Sequence, residues 1–381
     1  MKSWDAIVIG GGIIGLSLAI SLRKEGLRVL VVERGEPGRE ASWAAAGMLV
    51  GSGFEMPSPL HALAKESARV YPEFVHELED ESQMKVDLRD HGTILISRKG
   101  KFPEGAEPLT RELLKSLEPE LSSETVERQS PAPSGVEASP PVDIVAAYVH
   151  ERCLDPRALV AAVAKAAHHR GVDISSGTEV KAVLTSGGHA TGVQTDKTSY
   201  AGNIVINCAG AWAGCIAPQK FPVRPIKGQM LAVVGGPKLK HVVRGEDVYL
   251  LPRSDGRTII GSTLEDVGYN KQVELNTIQH LFQAALELVP AIAKSRKHED
   301  WAGLRPSTPD ELPILGETAT RGYFIASGHY RDGILLAPIT AQLMSELILH
   351  KPCSHDLTPY SPTRFPEPIH HGDTESQRKA I

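Results

Sequence analysis

Asp5-Ala6-Ile7-Val8-Ile9-Gly10-Gly11-Gly12-Ile13-Ile14-Gly15, followed by Val29-Leu30-Val31-Val32-Glu33, is the stretch that decides how this chain folds. An apolar strand runs into Gly10-x-Gly12-x-x-Gly15, whose glycines permit a tight turn, close approach of the backbone to a pyrophosphate and close packing of helix on strand. The amphipathic run from Ile14 to Lys24 predicts a helix whose first amides and dipole face that pyrophosphate. Glu33 closes the second strand, where a carboxylate accepts hydrogen bonds from ribose hydroxyls and repels a 2′-phosphate. Strand, helix, strand and terminal acid together mark a dinucleotide site rather than a plain glycine turn; by themselves they leave FAD and NAD open.

The rest of the 381 residues sets the frame. This length predicts two domains, or one large α/β domain with an insertion. An apolar content of 41% and a charged content of 23% are those of a soluble globular protein, and a formal charge of −5 argues against a nucleic-acid surface. The apolar stretches are strand-sized or broken by glycine and charge, so no membrane span or apolar amphipathic patch is expected. The first strand begins within a few residues of Met1, so no signal peptide is expected and a cytoplasmic location is the expectation. Cys153, Cys208, Cys215 and Cys353 show neither a CxxC nor a metal-ligand spacing and read as reduced, mostly buried thiols; no metal site is expected.

Further along, the small residues of Ser42-Trp43-Ala44-Ala45-Ala46-Gly47-Met48-Leu49 suit either a backbone laid against a large flat group or a tightly packed helix start. Helical periodicity covers Leu60 to Leu78, and Gly92 to Ser97 reads as a strand of a different sheet. Prolines 131, 133, 140 and 141 make residues 130–141 a loop or an edge. Asp155-Pro156 opens a helix that Gly171 stops. Strands follow at 172–174, 179–183 and 190–194, with a hairpin at Gly187-Gly188, and at Ile204 to Asn207. A β-rich stretch (229–234, 248–251, 258–260), a helix over 276–288, a strand over 323–326, a loop over 328–333 and a helix over 334–350 complete the pattern. The chain beyond Pro352 reads as a mobile extension.

Five segments in order, Gly10 to Gly15 with Glu33, Ala44 to Met48, Asn207-Cys208-Ala209-Gly210-Ala211-Trp212, Trp301-Ala302-Gly303-Leu304-Arg305-Pro306 and Gly328-His329-Tyr330-Arg331-Asp332-Gly333-Ile334-Leu335, resemble the D-amino-acid oxidase superfamily of flavoproteins. Within it the chain is most similar to the glycine oxidases associated with thiamine biosynthesis. The resemblance implies an α/β fold: a Rossmann-type FAD-binding domain (1–85, 145–220 and 300–352) with an inserted antiparallel-sheet α+β substrate domain (86–144 and 221–299) and a C-terminal extension (353–381). It implies non-covalent FAD, because the covalently flavinylated sarcosine-oxidase relatives carry a cysteine near residues 302–308 and this chain has none there. Gly10, Gly12, Ile13, Ile14, Gly15, Glu33, Arg34, Ala41, Ser42, Ala46, Gly47, Met48, Val180, Ala209, Gly210, His329, Tyr330, Arg331, Asp332, Gly333, Ile334 and Leu335 would hold it.

For the substrate, Arg305 offers a permanently charged planar fork suited to a carboxylate, with a structural pairing to an acid such as Asp310 as the alternative. Tyr249 matches a tyrosine that supports that carboxylate, and Arg331 lines the pocket; the segments 49–59 and 244–248 are expected in its wall. His329 and His91 are tempting bases. Hydride transfer from Cα with the amine lone pair assisting requires none, so no acid–base residue is assigned. The implied reaction is oxidation of glycine, sarcosine or small D-amino acids to the imine, with oxygen reduced to hydrogen peroxide and the imine available for thiazole assembly, in a homo-oligomer, tetrameric by resemblance. A dehydrogenase passing electrons to a quinone or carrier is the nearest alternative, since Leu304-Arg305-Pro306-Ser307-Thr308-Pro309-Asp310 fits the bacterial D-amino-acid dehydrogenases. A non-catalytic flavin-binding protein and an NAD-dependent enzyme are the others.

Overall fold

Strand β1 (Trp4–Ile9), helix α1 (Ile13–Lys24) and strand β2 (Val29–Val32) form the βαβ unit that the glycine motif dictates, in a computed structural model that describes residues 3–51, 56–97, 100–121 and 145–365. Both strands are almost wholly buried because helices or loops cover both faces of a parallel sheet, which is why they read as continuous apolar runs. Next come α2 (Ala41–Ala44), β3 (Met48–Leu49), α3 (His61–Ser82), β4 (Thr93–Ser97), β5 (Glu107–Leu109), α4 (Arg111–Leu117), β6 (Val145–Val149) and β7 (Arg152–Cys153). Helix α5 (Pro156–His169) starts as its sequence predicts, with Pro156 in the first turn and the Asp155 carboxylate accepting from the Arg157 amide. The chain continues through β8 (Asp173–Ser175), β9 (Val180–Ser186), β10 (His189–Thr195), β11 (Ser199–Asn207), β12 (Arg224–Val234), β13 (Val242–Arg244), β14 (Tyr249–Pro252), β15 (Arg257–Gly261) and α6 (Leu275–Leu288). It closes with β16 (Arg296–Ser307), β17 (Ile314–Glu317), β18 (Tyr323–Ser327) and α7 (Ala337–Ile348).

Two eight-stranded sheets result. The first runs β17-β18-β11-β1-β2-β8, with β9 and β10 attached through β11, and the second runs β16-β12-β15-β14-β13-β4-β6-β5. In the first, β8, β2, β1, β11 and β18 are parallel, and Ile9 stands level with Val32 and with Asn207, which is itself level with Ile325. Four strands therefore end at one edge, and the glycine turn, Glu33, the Cys208-Ala209-Gly210 segment and the Gly328 loop are brought together there. The second sheet is mostly antiparallel, with the single parallel pair β13 and β4. Its longest ladder, β12 against β16, sets Ile226 opposite Arg305 and Met230 opposite Trp301.

The structure moves three expected boundaries. Strand β6 pairs with β4 and β5, so residues 145–149 belong to the second sheet rather than to the nucleotide domain. Strand β16 stays in that sheet through Ser307, so the return to the nucleotide domain falls after 307 and not at 300. Helix α7 begins at Ala337, not Ile334: Pro338 has no amide to donate and is tolerated only in a first turn, so residues 333–336 form a turn ahead of it. The C-terminal segment also departs from expectation up to Phe365. Tyr360 is buried with its hydroxyl donating to Pro59 O at 2.7 Å, and Arg364 forms a two-point ion pair with Asp310. Residues 130–141 and 366–381 lie outside the described residues.

A Cβ at Gly15 would stand 2.1 Å from Gly10 O and 3.1 Å from a Val8 methyl, so the first turn of α1 touches the strand it follows. Gly15→Ala is expected to destabilise the ligand-free protein by about 1–3 kcal/mol, the usual cost of overpacking, read as a lower denaturant midpoint at unchanged m.

Candidate active site

One cavity of about 600 Å³ collects residues from both sheets. At its first end the carboxylate of Glu33 accepts from the Gly11 amide at 2.7 Å and the Gly35 amide at 2.9 Å, and the Ser42 hydroxyl accepts from the Ile13 amide at 3.0 Å. No acidic residue stands in the first turn of α1, so its dipole meets no negative charge of its own. Gly10 adopts φ +103°, and a Cβ there would lie 2.5 Å from Cys208 O; at Gly47, φ +85°, it would lie 2.1 Å from Leu154 O. Both glycines line the cavity while packing directly on a neighbouring backbone, so this part of its wall is main chain without side chains, the kind of surface a dinucleotide's phosphates need.

The small-residue run is part helix and part cavity wall. Ala41 to Ala44 is a short helix whose Ala44 carbonyl accepts from Trp301 Nε1 at 3.1 Å, and Ala44 to Met48 line the cavity. A Cβ at Gly303 would stand 2.4 Å from the Ala44 Cβ, so this glycine lets the run lie directly on β16. Trp301 and Trp43 meet edge to face with the Arg157 guanidinium over both rings, a half-buried cluster outside the cavity lining.

At the other end Arg305, Tyr249 and Arg331 line the same cavity. Arg305 Nη1 donates to Thr263 O at 3.0 Å and Nη2 to Ser262 Oγ at 2.7 Å, while Asp310, its alternative partner from sequence, is taken by Arg364. The floor beneath these side chains is glycine. A Cβ at Gly228 would stand 2.2 Å from Arg305 Nη1, and one at Gly261 would stand 2.6 Å from the Tyr249 hydroxyl. Burial pushes the Tyr249 hydroxyl pKa up, keeping it a neutral donor, and burial lowers that of Arg305, whose guanidinium nonetheless remains charged.

Between the two ends runs the Gly328 to Ile334 loop. Tyr330 takes φ +48°, an uncommon backbone state for a tyrosine, held by its amide donating to Pro306 O at 2.8 Å. That bond ties the loop to the residue next to Arg305. His329 is fully buried with Nε2 at 3.1 Å from Thr340 Oγ1, and burial drives its pKa down to about 3. It is neutral at ordinary pH and presents no cation. Burial raises the Asp332 carboxyl to about 6, with Glu311 adding to the rise and Arg331 opposing it.

Of the residues expected to hold the dinucleotide, all but Gly15 and Leu335 line the cavity. Gly15 acts one layer behind, in the contact described above. Leu335 lies one step past Ile334, where the turn swings its side chain into the core beside α3, and its carbonyl accepts from Ser67 Oγ at 2.6 Å. All of 244–248 forms part of the wall, as expected, but of the expected segment 49–59 only Val50 and Met56 do: Leu49, Gly51 and residues 57–59 are not in the lining, and residues 52–55 lie outside the described residues; His91 is exposed and not in the lining either. Sequence reasoning missed Gly228, Gly261, Ser262 and Leu264, which carry no motif; Gly261 stands opposite Tyr249 and Gly228 opposite Gly303, two positions from the Arg305 pair, and these registers leave no local signal. It also missed the apolar exposure of Leu264, Val267 and Tyr269, three residues in one connection, and of Leu275 at the start of α6. Cys153 and Cys208 are buried, Cys215 and Cys353 exposed. Among the described residues no helix is long and apolar enough to cross a membrane.

With that geometry in hand, the comparisons are decisive about class. Residues 5–347 match the family of FAD-dependent oxidoreductases, and the chain belongs to it. It is 33% identical to the glycine oxidase of Geobacillus kaustophilus, over 95% of this chain and 97% of that protein. The crystal structure of glycine oxidase from that organism superposes with a TM-score of 0.85 at 30% identity, covering 96% of this chain and 100% of the other. A bifunctional protein ThiO/ThiG from Synechocystis is 36% identical over 95% of this chain but only 54% of its own length, so the chain spans about half of that relative.

Because His329 loses its proton on burial, the unfolded chain binds one more proton than the folded one between about pH 6.5 and 3. Its contribution to stability is complete above pH 6.5 and falls as the pH drops through that window, by up to about 1.4 kcal/mol per pH unit. His329→Gln is expected to flatten that part of the stability profile, measured by denaturant unfolding between pH 7 and 4.

Proposed function

We propose that this protein is an FAD-dependent oxidase of glycine and other small amines of amino acids, sarcosine and small D-amino acids among them, that yields the imine and hydrogen peroxide. The observation that carries the reading is a cation clamp and a dinucleotide cradle in one cavity: Arg305 and Tyr249 on the second sheet face the space floored by Gly10, Gly47 and the Gly328 loop. Bound FAD supplies a two-electron acceptor for the hydride of Cα and, once reduced, a donor to oxygen. The chain's own residues do the rest by positioning. Arg305 takes the substrate carboxylate in two places, Tyr249 donates a further hydrogen bond, and Arg331 adds positive potential at the pocket wall.

No residue is needed to move the α-proton separately. His329 is neutral and occupied with Thr340, and among the described residues no other histidine lines the cavity. The same reading covers a cytoplasmic location, a homo-oligomer and delivery of the imine to thiazole formation. The segment shared with D-amino-acid dehydrogenases has a structural use here, since Asp310 holds Arg364 and Thr308 Oγ1 donates to Leu312 O at 2.7 Å. It therefore lends the dehydrogenase reading no support of its own.

Anaerobic mixing of the flavin-loaded protein with glycine, sarcosine, D-alanine and D-proline, followed by air and peroxide detection, tests the proposal. Bleaching by glycine and rapid peroxide release are expected; bleaching only by bulkier D-amino acids with sluggish reaction toward oxygen would make this a dehydrogenase. Arg305→Leu is expected to lower kcat/KM for glycine about a hundredfold while FAD content holds, since it removes a charge-assisted double hydrogen bond. Gly228→Ala should lower it in the same direction by displacing the guanidinium.

A further inference from the structure

The connection between β15 and α6, residues 262–274, crosses from the second sheet to the nucleotide end of the cavity. Its feet are pinned by Lys227, a fully buried cation paired with Glu265 at 3.2 Å and Glu274 at 3.1 Å. Its first residues, Ser262 and Thr263, hold Arg305. Its far bend does something the substrate site does not require. The Tyr269 ring stacks on Trp212 with centroids 5.4 Å apart, its hydroxyl donates to Ala211 O at 3.0 Å, and Lys271 pairs with Glu40 at 3.0 Å.

Trp212 and Glu40 belong to the cavity wall, and Arg34 joins them: its guanidinium lies 3.5 Å from the Trp212 ring centroid and bonds Glu40 at 2.6 Å. Arg34 is the neighbour of Glu33, the ribose-binding acid, and Val180 lines the same cavity. The wall here is thus a three-member cluster on the nucleotide domain, fastened from outside by two residues of the substrate domain. We propose that Tyr269 and Lys271 are cofactor-retaining residues: they keep the Arg34–Trp212–Glu40 wall closed over the adenosine half of FAD and so set the rate of FAD release. The inference rests on the cofactor assignment and is independent of which amine is oxidised.

Titration of the apoprotein with FAD, followed by flavin fluorescence without substrate, reads the effect directly, and dilution of the loaded protein reads release. Tyr269→Ala is expected to raise the FAD dissociation constant about tenfold through loss of stacking and hydrogen bond, and Tyr269→Phe to restore most of the binding. Lys271→Glu, a change at a half-exposed position that leaves the core untouched, is expected to raise it about threefold to fivefold, and added salt to shrink the difference. Leu275→Ser, just past the connection and 65% exposed, serves as the control and should leave FAD affinity as it was. Unchanged affinity in both Tyr269→Ala and Lys271→Glu would overturn the proposal, as would an equal loss in Leu275→Ser. A parent apoprotein that takes up no FAD would overturn the cofactor assignment instead, a separate failure.

Discussion

The close crossing of the β1 turn over the end of β11 is the contact on which everything else depends. With a Cβ at Gly10 only 2.5 Å from Cys208 O, and one at Gly15 only 2.1 Å from Gly10 O, no side chain fits between helix, turn and neighbouring strand. That absence of side chains brings the amides of α1, the Glu33 carboxylate and the Ala209-Gly210 backbone to one parallel edge, where a diphosphate can be met by backbone alone. The apolar layers behind the edge, Ala6 and Val8 toward one cluster and Ile7 and Ile9 toward another, hold the crossing rigid from both faces.

The second sheet solves a different problem with the same residue. A guanidinium needs partners for its donors and room to lie flat; Gly228 supplies the room, and Ser262 and Thr263 O supply neutral partners, with no carboxylate paired to it among the described residues. Asp310 sits five residues away in sequence but is drawn to Arg364 and so does not pair with Arg305. A buried cation with neutral acceptors around it is a site prepared for an anionic ligand.

Much of this was legible before any coordinates. The glycine spacing, Glu33 and the Asp155-Pro156 start are local signals, each tied to a conformational or electrostatic demand within a few residues of itself. Boundaries failed where the demand came from elsewhere. Strand β6 joins the second sheet because of its pairing with β4, and Tyr360 anchors the C-terminal segment through a carbonyl 301 residues away, a contact with no trace in local composition. Leu335 was expected with the cofactor loop because it follows Gly333 and Ile334 directly; it lies outside the cavity lining and packs in the core instead.

By itself the sequence determined the nucleotide half: a βαβ unit with a glycine turn and a terminal acid has one stable arrangement, since its requirements are short-range. It also marked Arg305 as chemically suited to a carboxylate, whereas Tyr249 came only from the family resemblance and reads by itself as strand packing. Only the tertiary structure decided that these two share a cavity with the glycine cradle, that glycines 228 and 261 make space for them, and that residues 262–274 link one end to the other. The reason is physical. Those relations depend on the register of β12 against β15 and β16, and register is settled by packing across the whole sheet rather than by any residue within it.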